Sequence, residues 1–404
     1  YILMAAVNEV ANSKKEKLWG RDFFLNLLVA HFLLAGFFSL FIVVPAFIEF
    51  QGGEAWEAGI IIATFGLAGV IVRPMAGRWI LKSGPKKVVL LGVGLFIGST
   101  ILYIPLPSEW WIVPVRMVQG VGLATAPVAT TTIVGNLAPE ERRGEGMSYM
   151  GNSISIAQLY APVVGVFLMD AIGFSVAFIV AAASGVIALL IATLISDSKT
   201  RIPESALPGV DEKIQERNAP LISKPAIFPT IVFLTYAFAM APVSVFLYTL
   251  ASDNGLPENF NIGLYFTVMS GMTMLTTLVS GRISDRLGRG AVIVPGLLLV
   301  GLAMLILSGV SSVTLFLGAA FLHGVGYGLI YPGINSLVVD RVPPRERGSA
   351  LATLQQSWDV GASGGNFILG PVVGVYGAAS AFLIVGIGAI TGAAGYVIGS
   401  RKNL

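Results

Sequence analysis

The 404-residue sequence has no cysteine, only two histidines and few charged residues, which make up 12% of the chain. The missing cysteines exclude disulfides and thiolate metal sites, and neither histidine has a second ligand at metal-binding spacing. We find no phosphate-binding G-x-x-x-x-G-K-[ST] motif and no polar region large enough for a catalytic domain. These absences argue against an ATP-driven pump, an enzyme or a receptor, and no metal or cofactor is predicted.

Hydrophobic residues make up 55% of the chain and give a mean hydropathy of +0.81, which indicates a membrane protein. Apolar stretches of about 20 residues, long enough to cross roughly 30 Å of hydrocarbon as a helix, recur along the sequence. Long apolar runs with frequent glycine and proline favour helices over the short alternating strands of a barrel. Twelve spans are predicted, at 22–50, 57–81, 87–106, 110–136, 146–169, 174–195, 227–251, 260–285, 291–310, 313–339, 348–375 and 378–399.

The basic residues indicate how these spans are oriented. If the N-terminus is cytoplasmic, 23 of the 25 Lys and Arg residues fall in cytoplasmic segments and the other two, Arg73 and Arg116, lie inside helices. This pattern predicts a multi-pass protein of the cell membrane with both termini in the cytoplasm. The net charge of +3 therefore reflects topology, and no nucleic-acid partner is predicted. The first residues, YILMAAV, lack a basic lead, so no removable signal peptide is expected.

The two halves of the sequence repeat each other at an offset of 204 residues. GRWILKSGPKK at 77–87 is repeated as GRISDRLGRGA at 281–291, and QGVG at 119–122 as HGVG at 323–326. A duplicated six-helix unit in parallel orientation is a transporter architecture whose site lies at the midplane between the halves. The predicted organisation is a cytoplasmic segment 1–21, a bundle 22–195, a cytoplasmic linker 196–225, a bundle 226–400 and a cytoplasmic tail 401–404.

The repeated loop after the second helix of each half carries glycines and basic residues at matching positions. Glycine permits close helix approach and positive φ, and the basic residues hold the turn on the cytoplasmic side. A topogenic signal would explain the charge but not the glycine spacing, so we predict a structural and gating role. The residues concerned are Gly77, Arg78, Gly84, Gly281, Arg282, Asp285, Arg286 and Gly288.

These motifs resemble those of the major facilitator superfamily along essentially the whole chain. GRISDRLGRG resembles its signature between helices 8 and 9, GRWILKSGPKK the first-half counterpart, and RMVQGVG at 116–122 its helix-4 motif. The resemblance implies an all-α membrane fold of twelve helices in two pseudo-symmetric six-helix bundles, in the drug/proton antiporter or small-solute efflux branch. In that family a loop aspartate is thought to latch the halves together; Asp285 holds its place, whereas Leu81 replaces it in the first half. APVVG at 161–165 resembles part of the helix-5 motif associated with antiporters, with Ala161 in place of the usual glycine.

Asp359 is the acidic residue predicted near the membrane midplane, since the other 21 of the 22 acidic residues fall in cytoplasmic segments or at the outer face. It lies twelve residues past Arg347, which is about 18 Å along a helix. A charge there costs at least about 2.5 to 3.5 kcal/mol, so Asp359 should face a cavity, pair or be protonated. We predict that it carries a coupled proton; a packing residue paired with a neighbour is the alternative.

Three further residues inside the predicted spans are candidates for proton coupling: Arg116, His31 and His323. Arg116 is always charged and can bind an anionic substrate or tune a carboxyl group, with a structural ion pair or carbonyl contact as the alternative. The histidines can titrate near neutral pH, although a lone histidine in a membrane is more often a hydrogen-bonded packing residue. Arg73 is expected to snorkel towards the cytoplasm.

Polar residues at helical spacing in helices 5 and 11 predict a substrate cavity between the halves. Spacings of three and four keep them on one face of each helix, and the helix-5 cluster is expected to face the helix-11 cluster. Interhelical hydrogen bonding is the alternative. With aromatic walls and a helix-4 glutamine added, the candidate cavity residues are Asn152, Ser155, Gln158, Gln119, Tyr160, Tyr327, Gln355, Gln356 and Trp358.

The sequence thus predicts a secondary active transporter that moves a small organic solute across the cytoplasmic membrane by alternating access. The partial helix-5 motif and the mostly apolar cavity favour proton-coupled efflux. The alternatives are an uncoupled facilitator, a flippase for a lipid-like amphiphile, or proton-coupled uptake. The expected partners are a small-molecule substrate, protons and the lipid bilayer, and the protein is expected to be a monomer. Architecture alone does not choose the substrate.

Overall fold

The computed structural model describes residues 18–139, 142–200, 224–257, 259–342 and 347–402. The predicted N-terminal segment and linker fall largely outside these ranges. In the described part, twelve long helices correspond one to one with the twelve predicted spans. They are α1 Arg21–Phe50, α2 Ala55–Ser83, α3 Pro85–Leu102, α4 Ile112–Leu137, α5 Arg143–Ala171, α6 Phe174–Leu194, α7 in two segments (Ile227–Val245 and Leu247–Asp253), α8 Leu264–Leu287, α9 Gly290–Ser308, α10 Val313–Arg341, α11 Arg347–Tyr376 and α12 Ala378–Lys402.

Eleven of the twelve helices in the described part are long and apolar enough to cross a membrane. The other one, α11, has 30 residues and a length of about 45 Å, so its composition rather than its length sets it apart. Gln355, Gln356, Asp359 and Asn366 all lie on it. A membrane helix this polar has to turn part of its surface towards protein or water rather than towards lipid.

The seventh span is broken, whereas the sequence predicted one continuous helix. Pro242 lies inside the first segment, and its ring cannot supply the N–H that a regular helix turn uses. The chain leaves helical geometry at Phe246, whose backbone N–H still bonds to the Pro242 carbonyl at 2.7 Å. A second segment, Leu247–Asp253, then continues towards the predicted outer face.

The helices form two bundles with the same internal packing. In the first, α2 packs on α4, α3 on α4, α1 on α5 and α6, and α3 on α6. In the second, the corresponding pairs are α8 with α10, α9 with α10, α7 with α11 and α12, and α9 with α12. Each pair in one bundle therefore has a counterpart six helices later, as expected for a duplicated six-helix unit.

Glycine contacts repeat at the same 204-residue offset. A Cβ on Gly120 would lie 2.3 Å from the Phe65 carbonyl oxygen, and one on Gly324 would lie 2.2 Å from that of Met269. The backbones of α4 and α2, and of α10 and α8, thus touch at equivalent points where a larger residue cannot fit. Two further crossings are related in the same way, Gly92 with Gly122 and Gly296 with Gly326.

The bundles meet on one side where α2 packs against α11. A Cβ on Gly59 would lie 3.0 Å from the Gly370 Cα, and one on Gly66 would overlap Ser363. Small residues therefore bring α2 and α11 into close contact along the first half of α2, which is the half nearer the predicted outer face.

On the opposite side of the molecule, α5 packs against α8. Asn261 Nδ2 donates a hydrogen bond to the Val163 carbonyl at 3.0 Å, and Thr267 Oγ1 donates one to the Leu159 carbonyl at 2.6 Å. These contacts also lie in the predicted outer half. Nearer the predicted cytoplasmic face, a Cβ on Gly77 or Gly281 would meet nothing within 4 Å. The bundles are thus tightly apposed towards the predicted outer side.

Candidate functional site

Asp359 lies at the junction of the two bundles and forms an ion pair with Arg73 of α2. Asp359 is 8% exposed; Arg73 Nη2 donates a hydrogen bond to its Oδ1 at 3.0 Å. Arg73 Nε lies 2.9 Å from Oδ2, an ionic contact without hydrogen-bond alignment. Arg73 does not snorkel to the cytoplasm as expected, because the buried carboxylate offers it a counter-charge inside the membrane. This pair joins α2 of one bundle to α11 of the other.

Arg116 is the centre of a second buried polar group, which lies within the first bundle. Its Nη1 donates a hydrogen bond to Gln119 Oε1 at 2.8 Å, and Phe65 places its ring 5.7 Å from the guanidinium carbon. Gln119 Oε1 also accepts from Tyr103 at 3.0 Å, and Gln119 Nε2 donates to Thr100 at 3.3 Å. No carboxylate of the described residues lies within ion-pair distance of Arg116.

Gln119 was predicted to line the substrate cavity, and the structure places it elsewhere. Its side chain is 0% exposed and points between α4 and α3, where it bonds to Arg116, Tyr103 and Thr100. The buried arginine and tyrosine both need an acceptor, and the Gln119 amide oxygen is the one within reach. This environment favours a structural role for Gln119.

His323 occupies the position in α10 that corresponds to Gln119 in α4. It is 0% exposed, and its Nδ1 lies 2.8 Å from the Tyr265 hydroxyl. Its Nε2 is buried with no hydrogen-bond partner among the described residues. An unpaired polar atom in a closed interior costs free energy, so this side chain destabilises the arrangement in which it is buried.

His31 lies between α1 and α5 and has both ring nitrogens occupied. Nδ1 lies 3.0 Å from the Ser153 carbonyl, which can only accept, so Nδ1 carries the hydrogen. In the neutral ring Nε2 then accepts from the Tyr160 hydroxyl at 2.9 Å. Protonation of His31 would turn Nε2 into a donor and require the Tyr160 hydroxyl to reorient.

An aromatic wall lies where α7, α10 and α11 of the second bundle pack together, close to Asp359 in the chain. Tyr236 and Tyr327 stack with ring centroids 4.7 Å apart and planes 5° from parallel, and Trp358 lies 5.8 Å from Tyr236. Towards the predicted cytoplasmic side, Gln355 Nε2 donates to the Tyr331 hydroxyl at 3.2 Å. Tyr327 and Trp358 were predicted from the sequence, whereas Tyr236 and Tyr331 were not, although Tyr331 follows Tyr327 by one helical turn.

The remaining polar candidates of α5 and α11 have different surroundings from those expected. Asn152 is exposed, and Ser155, Gln158 and Gln356 are half-buried. The main packing partner of α5 in the other bundle is α8, and that of α11 is α2. The two polar clusters therefore do not form the principal contact between the bundles.

The repeated loops contain two glycines that need a left-handed backbone. Gly84 has φ 84° and Gly288 has φ 88°, at the point where one helix ends and the next begins, a region closed to other residues. Gly77 and Gly281 lie inside helices with open space around them, so the expected close approach is wrong at these two positions. Arg78, Arg282 and Arg286 are exposed.

Asp285, the expected latch residue, contacts its own bundle. Arg289 donates to Asp285 Oδ1 at 2.6 Å and to Asp340 Oδ2 at 2.8 Å. The hydrogen bonds to Asp340 and Asp285 raise the pKa of the Arg289 guanidinium. This cluster fixes the loop after α8 to the C-terminal end of α10, which is predicted to be cytoplasmic.

Comparison with known proteins agrees with this architecture. The family model of the Major Facilitator Superfamily matches residues 27–268 and 230–403. The chain belongs to the Major Facilitator Superfamily. It is therefore a multi-pass membrane transporter and not an enzyme, with the twelve-helix fold of that family.

Members of the Major Facilitator Superfamily with similar sequences include two bacterial exporters. The multi-drug resistance efflux pump PmrA homolog of Lactococcus lactis is 24% identical over 372 residues, which is 90% of this chain and 89% of that protein. The staphylopine export protein of Staphylococcus aureus is 25% identical over 382 residues, 90% of this chain and 92% of that protein. A POT family transporter solved with a thioalcohol-conjugated peptide shares the fold, with TM-score 0.76, 18% identity and coverage of 94% and 96%.

Proposed function

We propose that this transporter exports a small organic solute by alternating access and that protons bound at Asp359 drive the export. The observation that carries the proposal is the ion pair between Asp359 and Arg73, which joins the two bundles. The sequence predicts that Asp359 lies near the membrane midplane. The efflux direction is supported by the relatives named as an efflux pump and an export protein, each matched over about nine-tenths of its length.

The ion pair links proton binding to the arrangement of the bundles. An ionised Asp359 attracts the Arg73 guanidinium across the boundary, whereas a protonated Asp359 loses that charge attraction. Proton uptake therefore weakens the bond between α2 and α11. A proton that binds one arrangement better than the other shifts the balance between them, which is the linkage that a coupled transporter needs.

The aromatic wall supports a substrate with a flat apolar part. Tyr327 and Trp358 are half-buried, and Tyr331 is 37% exposed at the predicted cytoplasmic end of the wall, while Tyr236 is buried and supports Tyr327 by stacking on it. Rings bind planar solutes by stacking with little loss of side-chain freedom. Asn152, Ser155, Gln158, Gln355 and Gln356 would supply polar contacts from α5 and α11. Arg116, His31 and His323 are the further candidates for tuning the proton site.

Alternating access is supported by where the bundles touch. The contacts of α2 with α11 and of α5 with α8 lie towards the predicted outer side, as in a carrier open towards the cytoplasm. Rocking of one bundle against the other would exchange these contacts for new ones between the cytoplasmic ends, where the loops with Gly84 and Gly288 lie. One chain supplies both bundles, so a monomer in the cytoplasmic membrane, with both termini inside, is the proposed unit.

Flux measurements in proteoliposomes test this function. Ethidium, a planar aromatic cation, and fluorescein, a planar aromatic anion, serve as probes. For proton-coupled export we expect accumulation of at least one probe in vesicles with an acidic lumen and no accumulation without a pH gradient. Equal transport with and without the gradient would identify a facilitator. Accumulation only in vesicles with an alkaline lumen would identify proton-coupled uptake.

A further inference from the structure

We propose that Glu49 is a second proton-binding residue of the transport cycle, placed at the outer boundary between the bundles; this rests on the proton-coupled function proposed above. Glu49 lies in the last turn of α1, and its Oε1 accepts a hydrogen bond from Thr249 Oγ1 at 2.5 Å. Thr249 belongs to the second segment of α7. The bond therefore joins the two bundles, as the pair of Asp359 with Arg73 does near the predicted membrane midplane.

The break in α7 creates this contact. Within its second segment, Leu247, Leu250 and Ala251 are buried, which leaves Thr249 on the side that packs against the end of α1. Glu49 follows the buried Ile48 directly, so its carboxyl group is held at the edge of the packed interior and is itself half-buried. Opening of the outer side would pull the end of α1 away from α7 and expose this carboxyl group to water.

The surroundings of Glu49 make a buried negative charge expensive. The outer loops of the whole sequence contain no Lys or Arg. Among the described residues, the titratable groups at the predicted outer ends of the helices are five acidic residues and three tyrosines: Glu54, Glu57, Glu109, Asp170, Asp253, Tyr103, Tyr248 and Tyr376. An ionised Glu49 in the closed arrangement therefore has like charges nearby and no basic residue to compensate it.

Protonation removes this cost without removing the bond to Thr249. The Thr249 hydroxyl can donate to a carboxyl oxygen whether the acid is ionised or neutral. The closed outer arrangement therefore binds a proton at Glu49 more tightly than the open one does, and by linkage a lower external pH favours closure. In a proton-driven exporter the proton enters from outside, so Glu49 would take it up as the outer side closes.

A cleft lies beside the same segment of α7. It has a volume of about 400 Å³ and is lined by Asp170, Tyr248 and Ser252 among others. The cleft lies at the outer ends of α5 and α7, between the bundles, and apart from the candidate cavity residues. Open space therefore lies against the second segment of α7 on its predicted outer side.

The absence of native cysteine permits a direct test by distance measurement. Spin labels on Ser108→Cys and Ser311→Cys, in outer loops of the first and second bundle, report the opening of the outer side in reconstituted protein without substrate. We expect the fraction of molecules with a short distance between the two labels to rise as the pH falls. In Glu49→Gln we expect the short distance to dominate at every pH, because the amide is neutral and still accepts from Thr249.

Matched variants decide what the pH response means. Glu109→Gln neutralises an outer carboxylate that makes no bond between the bundles, so it should keep the wild-type pH response. Thr249→Val removes the hydroxyl that donates to Glu49, so it should reduce the short-distance population. The role of Glu49 would be overturned if Glu49→Gln kept the wild-type pH response of the short-distance population. It would also be overturned if Glu109→Gln lost that response to the same extent as Glu49→Gln. The distance measurement does not depend on transport. If the distances respond to pH and to Glu49→Gln as expected but a pH gradient drives no transport, only the proposed function is refuted.

Discussion

Gln119 shows how a membrane protein interior compensates polar groups that it cannot expose. Its amide oxygen accepts from both Arg116 and Tyr103, and its nitrogen donates to Thr100. Replacement by leucine would leave three polar groups in the first bundle without their partner. We expect Gln119→Leu to lower the free energy of unfolding by about 1–3 kcal/mol for each group left unpaired.

Thermal unfolding of purified Gln119→Leu in detergent measures this loss. Gln355→Leu is the matched control, because Gln355 is exposed and its removal leaves no buried group unpaired. A melting temperature of Gln119→Leu equal to that of the control would contradict the structural role assigned to Gln119.

The ion pair of Arg73 with Asp359 predicts a specific pattern in double variants. Arg73→Ala leaves a carboxylate that is only 8% exposed without its counter-charge, whereas Arg73→Ala combined with Asp359→Asn leaves no charge to compensate. We therefore expect the double variant to unfold at a higher temperature than Arg73→Ala alone. If the double variant is less stable by the sum of both single effects, the two residues do not act as a pair.

Sequence reasoning at the scale of single residues found the charges but not their partners. Asp359 stands out because it is an acidic residue deep inside a predicted span. Its partner Arg73 is 286 positions away in sequence, and the snorkelling rule considers only the local distance to the membrane surface. Gln119 was misplaced for the same reason, since the direction of a side chain depends on which helices pack around it.

The helix crossings depend on glycine, and α10 offers a matched comparison. A Cβ on Gly324 would lie 2.2 Å from the Met269 carbonyl oxygen, whereas one on Gly318 would meet nothing within 4 Å. Gly324→Ala should force α10 away from α8 and cost about 1–3 kcal/mol, while Gly318→Ala on the same helix should be neutral or slightly stabilising. Unfolding midpoints of the two variants test this, and equal midpoints would contradict the close crossing.

At the scale of helices, the sequence predicted the existence and order of all twelve spans because apolar length is a strong signal. It also predicted that glycines in the repeated loops adopt positive φ, which Gly84 and Gly288 do. The break of α7 at Phe246 was missed, since Pro242 within an apolar run is compatible with a kinked or a continuous span. Which glycines touch a neighbouring helix also depends on packing, as the open surroundings of Gly77 and Gly281 illustrate.

At the scale of the whole molecule, the bundles touch towards the predicted outer face. We therefore expect the space between them to be accessible from the cytoplasmic face. Gln355 and Asn152 are exposed and lie in the N-terminal halves of α11 and α5, which are predicted to be cytoplasmic. We expect Gln355→Cys and Asn152→Cys to react with a membrane-impermeant thiol reagent added from the cytoplasmic side of oriented vesicles. Ser311→Cys, in an outer loop, should react only from the opposite side. Failure of both cytoplasmic positions to react would place them against lipid and contradict the proposed cavity.

The two-bundle architecture followed from the 204-residue repeat, which the glycine crossings reproduce in three dimensions. The sequence did not predict that the bundles touch towards the outer side. A carrier built from two repeated bundles has the same residues in its inward-open and outward-open arrangements, so its sequence does not select one of them. The interbundle contacts of Glu49 with Thr249 and of Arg73 with Asp359 became visible only when both bundles were placed together.

The central claim, that a proton on Asp359 drives movement of the bundles, is tested most directly by Asp359→Asn in proteoliposomes. The asparagine has nearly the same shape and cannot be ionised. We predict that probe accumulation driven by a pH gradient disappears, while exchange of labelled for unlabelled probe without a gradient persists. Gradient-driven accumulation at the wild-type rate in Asp359→Asn would contradict the claim.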